Sequence, residues 1–452
     1  MHTIAIDMKR KPINLDNAST TPLQKEVLKV MMPFFSEKYG NPSNLYELGR
    51  ISRSVINESL AKISGIIHSR PDEFVFTGGA TEADNLAIAG IARANKEFGN
   101  RIIISSVEHK GIFSVCEALK KEGLEIVEIP VDKNGLLKIT DLEKALNEKT
   151  LLVSVTMADS ETGTIQPIRE ISEIIKRQKA KTAGADANAR AGHLPPHHLP
   201  YFHTDASQAS AYLDINVENL GVDLMTLSAH KIGGPKGIGG LFIKRGTKIN
   251  PIIYGGSQQN KVRAGTENVP SIVGFARALE ISEKNKGKGK SGKKVVGKIL
   301  EIKKLRDFLE KSIFKKIPKV VLNGHPLKRL PNFLNVSILD IEGEALLLHL
   351  DARGIMISTG SACNSESLEP SSVLSAIGNP YEFVHSSMRF TLSSETTKSD
   401  IEYVLKHLPK IVETLRHISP LNLKVDQKEK MSDPRAFVGG KTPHFLRKKR
   451  NA

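Results

Sequence analysis

Short apolar runs alternate with amphipathic stretches between about residues 70 and 245. Glu73-Phe74-Val75-Phe76-Thr77 is a brief apolar run stopped by Gly78-Gly79, and the Ala-rich stretch from Thr81 to Ala94 predicts a helix. Arg101 to Val107 is β-branched and continuously apolar, as a strand buried on both faces requires. Ile112, Val115, Cys116 and Leu119 recur at helical spacing, which assigns Cys116 to core packing. Leu151 to Thr156 predicts a strand and Ile168 to Arg177 a helix. Tyr201 to Asp205, Val222 to Ser228 and Gly237 to Ile243 predict further strands. The alternation predicts an α/β fold, a mostly parallel sheet covered by helices.

The pattern changes later in the chain. Lys298 to Lys311 reads as a helix, and Asn335–Ile338 and Met388–Thr391 read as strands of a smaller α+β domain. Two stretches break the order. Lys179 to Pro200, rich in Ala, Gly, Pro and His, reads as a surface loop insertion, and Lys286 to Gly297 as a Gly/Lys-rich linker. Beyond about Leu421 no apolar pattern remains.

Composition narrows the class. A chain of 452 residues can bury a large core in two or more domains, and 39% hydrophobic with 25% charged residues describes a globular protein. No apolar run approaches the roughly 20 residues that span a bilayer, so no membrane role is expected. The start carries no secretory pattern. Two cysteines, Cys116 and Cys363, exclude a disulfide framework and fit a reducing, cytoplasmic setting. The net charge of +16 is peripheral: seven lysines without an acid lie between Lys284 and Lys298, and nine basic residues against three acids follow from Lys424. These solvated stretches suit RNA or an acidic protein partner and say little about a catalytic centre.

In open α/β sheets ligands bind beyond the carboxyl ends of the strands. Four predicted strands end in polar or reactive residues: His109; Asp159, Ser160 and Glu161; Asp205 and Gln208; Ser228, His230 and Lys231. If the strands run parallel, all face one crevice. Thr77-Gly78-Gly79-Ala80-Thr81-Glu82 joins a strand to a helix. Its Ala80 and Thr81 amides and the Thr81 hydroxyl suit a phosphate, with Ser228 and His230 as further donors. Thr81 serves equally as an ordinary helix cap. Lys231 follows a buried strand and precedes Gly233-Gly234-Pro235, unlike a lysine on a solvated helix face. A lysine able to form a Schiff base, with an aspartate for a pyridinium nitrogen, is what pyridoxal phosphate chemistry needs. Cys363 sits among small polar residues, in a setting for a reactive thiol. Arg389 is a candidate clamp for a carboxylate, or half of a structural ion pair. His193, His197, His198 and His203 show no metal-ligand spacing.

The chain resembles the group I cysteine desulfurases, the NifS/IscS type of class V aminotransferases with PLP fold type I. The matching stretches run in order from about residue 13 to 393. They include Leu15-Asp16-Asn17-Ala18-Ser19-Thr20-Thr21-Pro22, Gly79-Ala80-Thr81-Glu82, Val107-Glu108-His109-Lys110, Thr204-Asp205-Ala206-Ser207-Gln208, Ser228-Ala229-His230-Lys231, Arg263-Ala264-Gly265-Thr266, Gly360-Ser361-Ala362-Cys363 and His385-Ser386-Ser387-Met388-Arg389-Phe390.

The resemblance implies a seven-stranded sheet in a large domain over 20–269. It implies a small domain from 1–19 and 270–420, with the linker at about 284–298 and a basic tail over 421–452. It implies pyridoxal 5'-phosphate held by Lys231, with His109 stacked on the ring and Asp205 on the pyridine nitrogen. Gln208 then contacts the phenolic oxygen. Ala80, Thr81, Ser228 and His230 bind phosphate, joined by Thr266 from the partner of a homodimer. Arg389 holds the carboxylate of L-cysteine, and Cys363 takes its sulfur for an Fe–S scaffold or a tRNA-thiolation enzyme. Ser160 stands where the family carries an asparagine that touches ring and substrate. A selenocysteine lyase, a transaminase and a weakly catalytic RNA-binding or assembly module are the alternatives.

Overall fold

The computed structural model describes residues 11–186, 199–287, 297–360 and 370–420. Strand β1 (Ile13–Asn14) comes first. Seven strands follow: β2 (Phe74–Thr77), β3 (Arg101–Ser105), β4 (Glu125–Ile129), β5 (Thr150–Ser154), β6 (Tyr201–Asp205), β7 (Leu224–Ser228) and β8 (Gly239–Ile243). They form one sheet in the spatial order β2-β8-β7-β6-β5-β3-β4. Strand β8 runs antiparallel to both neighbours, and the remaining pairs are parallel. The carboxyl ends of β2, β3, β5, β6 and β7 therefore share one edge.

Both faces of this sheet are apolar because helices cover both. Ile103, Val153, Phe202, Met225 and Phe242 pack on one side, with Ile171 and Phe275. Ile102, Ile104, Leu152, Leu224 and Leu241 pack on the other, with Leu86, Ile112 and Leu119. Cys116 belongs to this second core, and burial pushes its thiol up to about 12. It is inert packing, as its helical spacing predicts.

Two sequence expectations change. The helix from Ile168 continues to Asp186, so the first part of the expected loop insertion is helical. Residues 187–198, with His193, His197 and His198, lie outside the described set. Strand β4 has no counterpart in the sequence reading. It pairs only with β3 at the sheet edge, and its charged, half-exposed EIVEI lacks the apolar run of a buried strand. The sheet is mostly parallel, as expected, with β8 alone reversed.

Strands β9 (Val320–Leu322), β10 (Phe333–Ile338), β11 (Ile355–Met356), β12 (Ser358–Thr359) and β13 (Ser387–Thr391) follow. A four-stranded sheet has the order β12-β13-β10-β9, and β1 pairs in parallel with β11. The helices Lys298–Lys316 and Lys398–Ile418 pack Leu309, Ile313, Leu408 and Val412 against this smaller sheet. No described helix is long and apolar enough to cross a membrane.

Candidate active site

The shared strand edge opens into a cleft of about 1320 Å³. Ala80, Thr81, His109, Ser160, Asp205, Gln208, Ser228, His230, Lys231 and Arg389 all line it. Of the predicted site residues that the structure describes, one does not. Thr266 is exposed and lines a smaller neighbouring pocket that shares Gly78, Gly237 and Ile238 with the cleft. Cys363 lies outside the described residues, although Gly360 and Pro370 on either side of that segment reach the cleft.

A built anion seat lies at one end. Gly79 precedes the helix Ala80–Ala94, and no side chain caps its first turn, so the Ala80 and Thr81 amides remain donors. Ser228 Oγ, at the end of β7, is buried without a hydrogen-bond partner. Burial, with Lys231 and Lys236 nearby, pushes His230 down to about 4, so the ring is neutral near pH 7. Its Nδ1 lies 3.1 Å from the Thr20 hydroxyl. Gly239 pairs with Thr77 on one side and Ser228 on the other, and only a glycine fits there. A Cβ at this position would stand 2.7 Å from the Gly79 carbonyl carbon and from the Leu227 oxygen.

Behind the cleft three carboxyl groups are buried together. Asp205 accepts from the Ser207 amide at 2.8 Å. Burial, then the charge of Asp205, raises Asp84 well above the usual carboxylate range. Burial likewise raises Glu108, whose Oε1 accepts from the Thr156 amide at 2.7 Å. Burial thus favours the neutral form of both Asp84 and Glu108. His203, beside Asp84 at 3.7 Å, is pushed down to about 3 by burial. It hydrogen-bonds Ser154 and Thr226 and is a core histidine.

The sequence reading missed one element. Residues 16–21 cross the cleft as a strap. The Lys231 amine donates to the carbonyls of Ala18 and Ser19, the latter at 2.8 Å. Gln208 Nε2 donates to the Ala18 oxygen at 3.0 Å, and Thr21 Oγ1 donates to the His230 carbonyl at 2.7 Å. Arg389 donates to Asp16, Ser19 and the Ser160 carbonyl. The segment stood among the matching stretches without a role, because its contacts are largely backbone atoms. His109 caps the helix Lys110–Lys121 and is exposed. Its Nδ1 accepts from the Gly111 amide at 3.1 Å, which puts the proton of the neutral ring on Nε2.

These donors, the Asp205 carboxyl and the enclosed lysine fit pyridoxal phosphate: an uncapped helix start and an unpartnered serine for its phosphate, a carboxyl group for its ring nitrogen. The Aminotransferase class-V model matches residues 13–198 and 196–404. The chain belongs to the class-V aminotransferase family. It is a pyridoxal phosphate enzyme. Among curated relatives, the cysteine desulfurase IscS of Dictyoglomus turgidum is 46% identical over 91% of this chain and 97% of its own length. That of Methanosarcina thermophila is 44% identical over 93% and 96%. A solved NifS-like protein from Rickettsia africae aligns with a TM-score of 0.75 at 30% identity, covering 89% of this chain and 99% of its own. SspA, solved in complex with cysteine, aligns at 0.68 and 29% identity, covering 86% and 100%.

Proposed function

We propose that this protein is a cysteine desulfurase, converting L-cysteine to L-alanine and a persulfide on Cys363. The observation that carries the reading is the single cleft in which Lys231, Asp205, the anion seat and Arg389 meet. The desulfurase relatives, alike over nearly their whole length, support it.

Lys231 would hold the cofactor. Asp205 would keep a proton on the ring nitrogen, and Gln208 and His109 would hold the ring. Ala80, Thr81, Ser228 and His230 would hold the phosphate, with Thr266 supplied by a second copy. When bound, pyridoxal phosphate supplies an electron sink for chemistry at the substrate Cα. Lys231 Nζ, once released, removes and returns the Cα proton, and the Ala18 and Ser19 carbonyls keep that amine in place. With Nδ1 accepting from Gly111, the neutral His109 ring carries its proton on Nε2, beside the cleft. Arg389 binds the substrate carboxylate. Ser160 offers Arg389 its backbone oxygen, a contact that does not depend on the side chain at this position. The Cys363 thiolate forms an S–S bond as the substrate Cβ–S bond breaks. The pair of that bond stays on carbon and is protonated to give alanine.

The homodimer reading is supported by large apolar side chains left on the surface, Leu45 at 87% and Tyr254 at 80% exposure. The expected boundary at 269/270 moves: the helix Val269–Asn285 packs Ile272, Phe275 and Leu279 into the large sheet's core. We therefore propose that the large domain runs from 20 to about 285 and that the small one joins the N-terminal stretch to 297–420, because β1 pairs with β11. The setting is the cytoplasm, and the sulfur acceptor an Fe–S scaffold or a tRNA-thiolation enzyme. RNA contact, if made, belongs to the basic linker and tail. The test incubates the holoenzyme with L-cysteine and a thiol. Alanine and sulfide in equal amounts are expected, with no protein persulfide in Cys363→Ala. A keto acid in place of alanine would indicate a transaminase.

A further inference from the structure

Arg389 projects from β13 with its side chain only 6% exposed. Nη1 donates to the Ser160 carbonyl at 2.8 Å. Nη2 donates to Asp16 Oδ1 and to Ser19 Oγ, each at 2.7 Å, so both of its hydrogens are engaged. The Nε hydrogen is buried with no partner. A guanidinium grips a carboxylate bidentately along one of two edges, Nε with Nη2 or Nη1 with Nη2. Nη2 belongs to both edges. No ligand carboxylate can seat bidentately without displacing Asp16 or Ser19.

Asp16 is itself a carboxylate on the atom the substrate needs. We propose that Asp16 is an internal competitor for the substrate carboxylate, holding Arg389 in the free enzyme and yielding an Nη2 hydrogen when the amino acid binds. The unpartnered Nε marks the edge the ligand takes, with one oxygen on Nε and the other on Nη2. Asp16 is free to yield. Its side chain is 22% exposed, which leaves a route to water. Its backbone stays fixed by a bridge to Thr391. The exchange swaps one carboxylate for another, so the buried guanidinium is never left unpaired, a state that would be costly. Asp16 thereby sets the affinity for amino acids and leaves amines without a carboxylate untouched. This rests on Arg389 as the substrate clamp.

The test is calorimetric binding to the holoenzyme, with L-alanine and cysteamine as ligands. Asp16→Asn keeps an acceptor but loses the charge. Its Kd for L-alanine is expected to fall by about tenfold, the scale of one charge-assisted hydrogen bond, with cysteamine binding unchanged. Asp16→Ser carries the same expectation if the amide variant does not fold, and unfolding midpoints are recorded for both. Unchanged or weaker L-alanine binding in a folded variant overturns the proposal, because Asp16 would then only orient Arg389. Arg389→Gln separates the two ideas. If it loses L-alanine but keeps cysteamine while Asp16→Asn shows no gain, the clamp stands and the competitor falls. If it binds both as the wild type does, the clamp itself is wrong.

Discussion

Lys231 Nζ donates to the Ser19 carbonyl at 2.8 Å, joining residues 212 positions apart. The contact ties the strap at 16–21 to the end of β7. An amine held by two carbonyls has a fixed position before any ligand arrives, which is what proximity requires of a proton carrier.

Lys231→Ala removes both the covalent anchor and that proton carrier. Alanine formation is expected to fall by at least about 10³-fold. Borohydride reduction followed by intact mass measurement should show no cofactor adduct. An adduct of undiminished yield would mean another lysine holds the cofactor.

Asp205→Asn keeps the shape but not the charge. Burial favours the neutral form of its neighbours Asp84 and Glu108, so neither readily replaces the lost carboxylate. Turnover is expected to drop about 10² or more at matched cofactor content, read as alanine per bound cofactor. Wild-type turnover would show that a neighbour carries the charge.

Gly239→Ala puts a methyl group against the Gly79 carbonyl carbon and the Leu227 oxygen, at 2.7 Å from each. Strands β2, β7 and β8 meet there, so the chain has little room to yield. A loss of about 1–3 kcal/mol is expected in urea unfolding, with weaker cofactor retention on dialysis. A variant of wild-type stability that keeps its cofactor would show that the turn relaxes easily.

Burial pushes Glu161 up to about 7, against the Ser371 hydroxyl and the charge of Arg389, which pull the other way. The unfolded chain releases that proton near the ordinary glutamate value of about 4.3. Folding therefore favours the protonated form, and this stability is lost as pH rises from about 4 through 7. Glu161→Gln should come closest to the wild type in thermal unfolding at about pH 4, below the unfolded value. It should exceed it at pH 8 by up to about 2 kcal/mol, allowing for partial exposure. Equal gaps at both pH values would rule the titration out.

Much of the fold was legible because its buried strands are continuous apolar runs, as in β3, β5 and β7, and its helices carry apolar stripes. β4 was not, since an edge strand with charges at both ends gives no such signal. The helix to Asp186 was also missed, because its last turns are rich in Ala and Lys without an apolar face.

The sequence alone determined which chemistry is present: a lysine after a buried strand, an aspartate at the end of another, a Gly-Gly turn before a helix, and an arginine late in the chain. Local periodicity and residue type are enough for that, because strand ends in such sheets point one way. Only the tertiary structure decided which carboxyl groups are pushed toward the neutral form and what the lysine and arginine touch. That push depends on burial among groups distant in sequence, as with Asp84 and Glu108. Lys231 meets the backbone carbonyls of Ala18 and Ser19, and Arg389 meets the Ser160 carbonyl with the Asp16 and Ser19 side chains; a main-chain oxygen leaves no mark in a sequence.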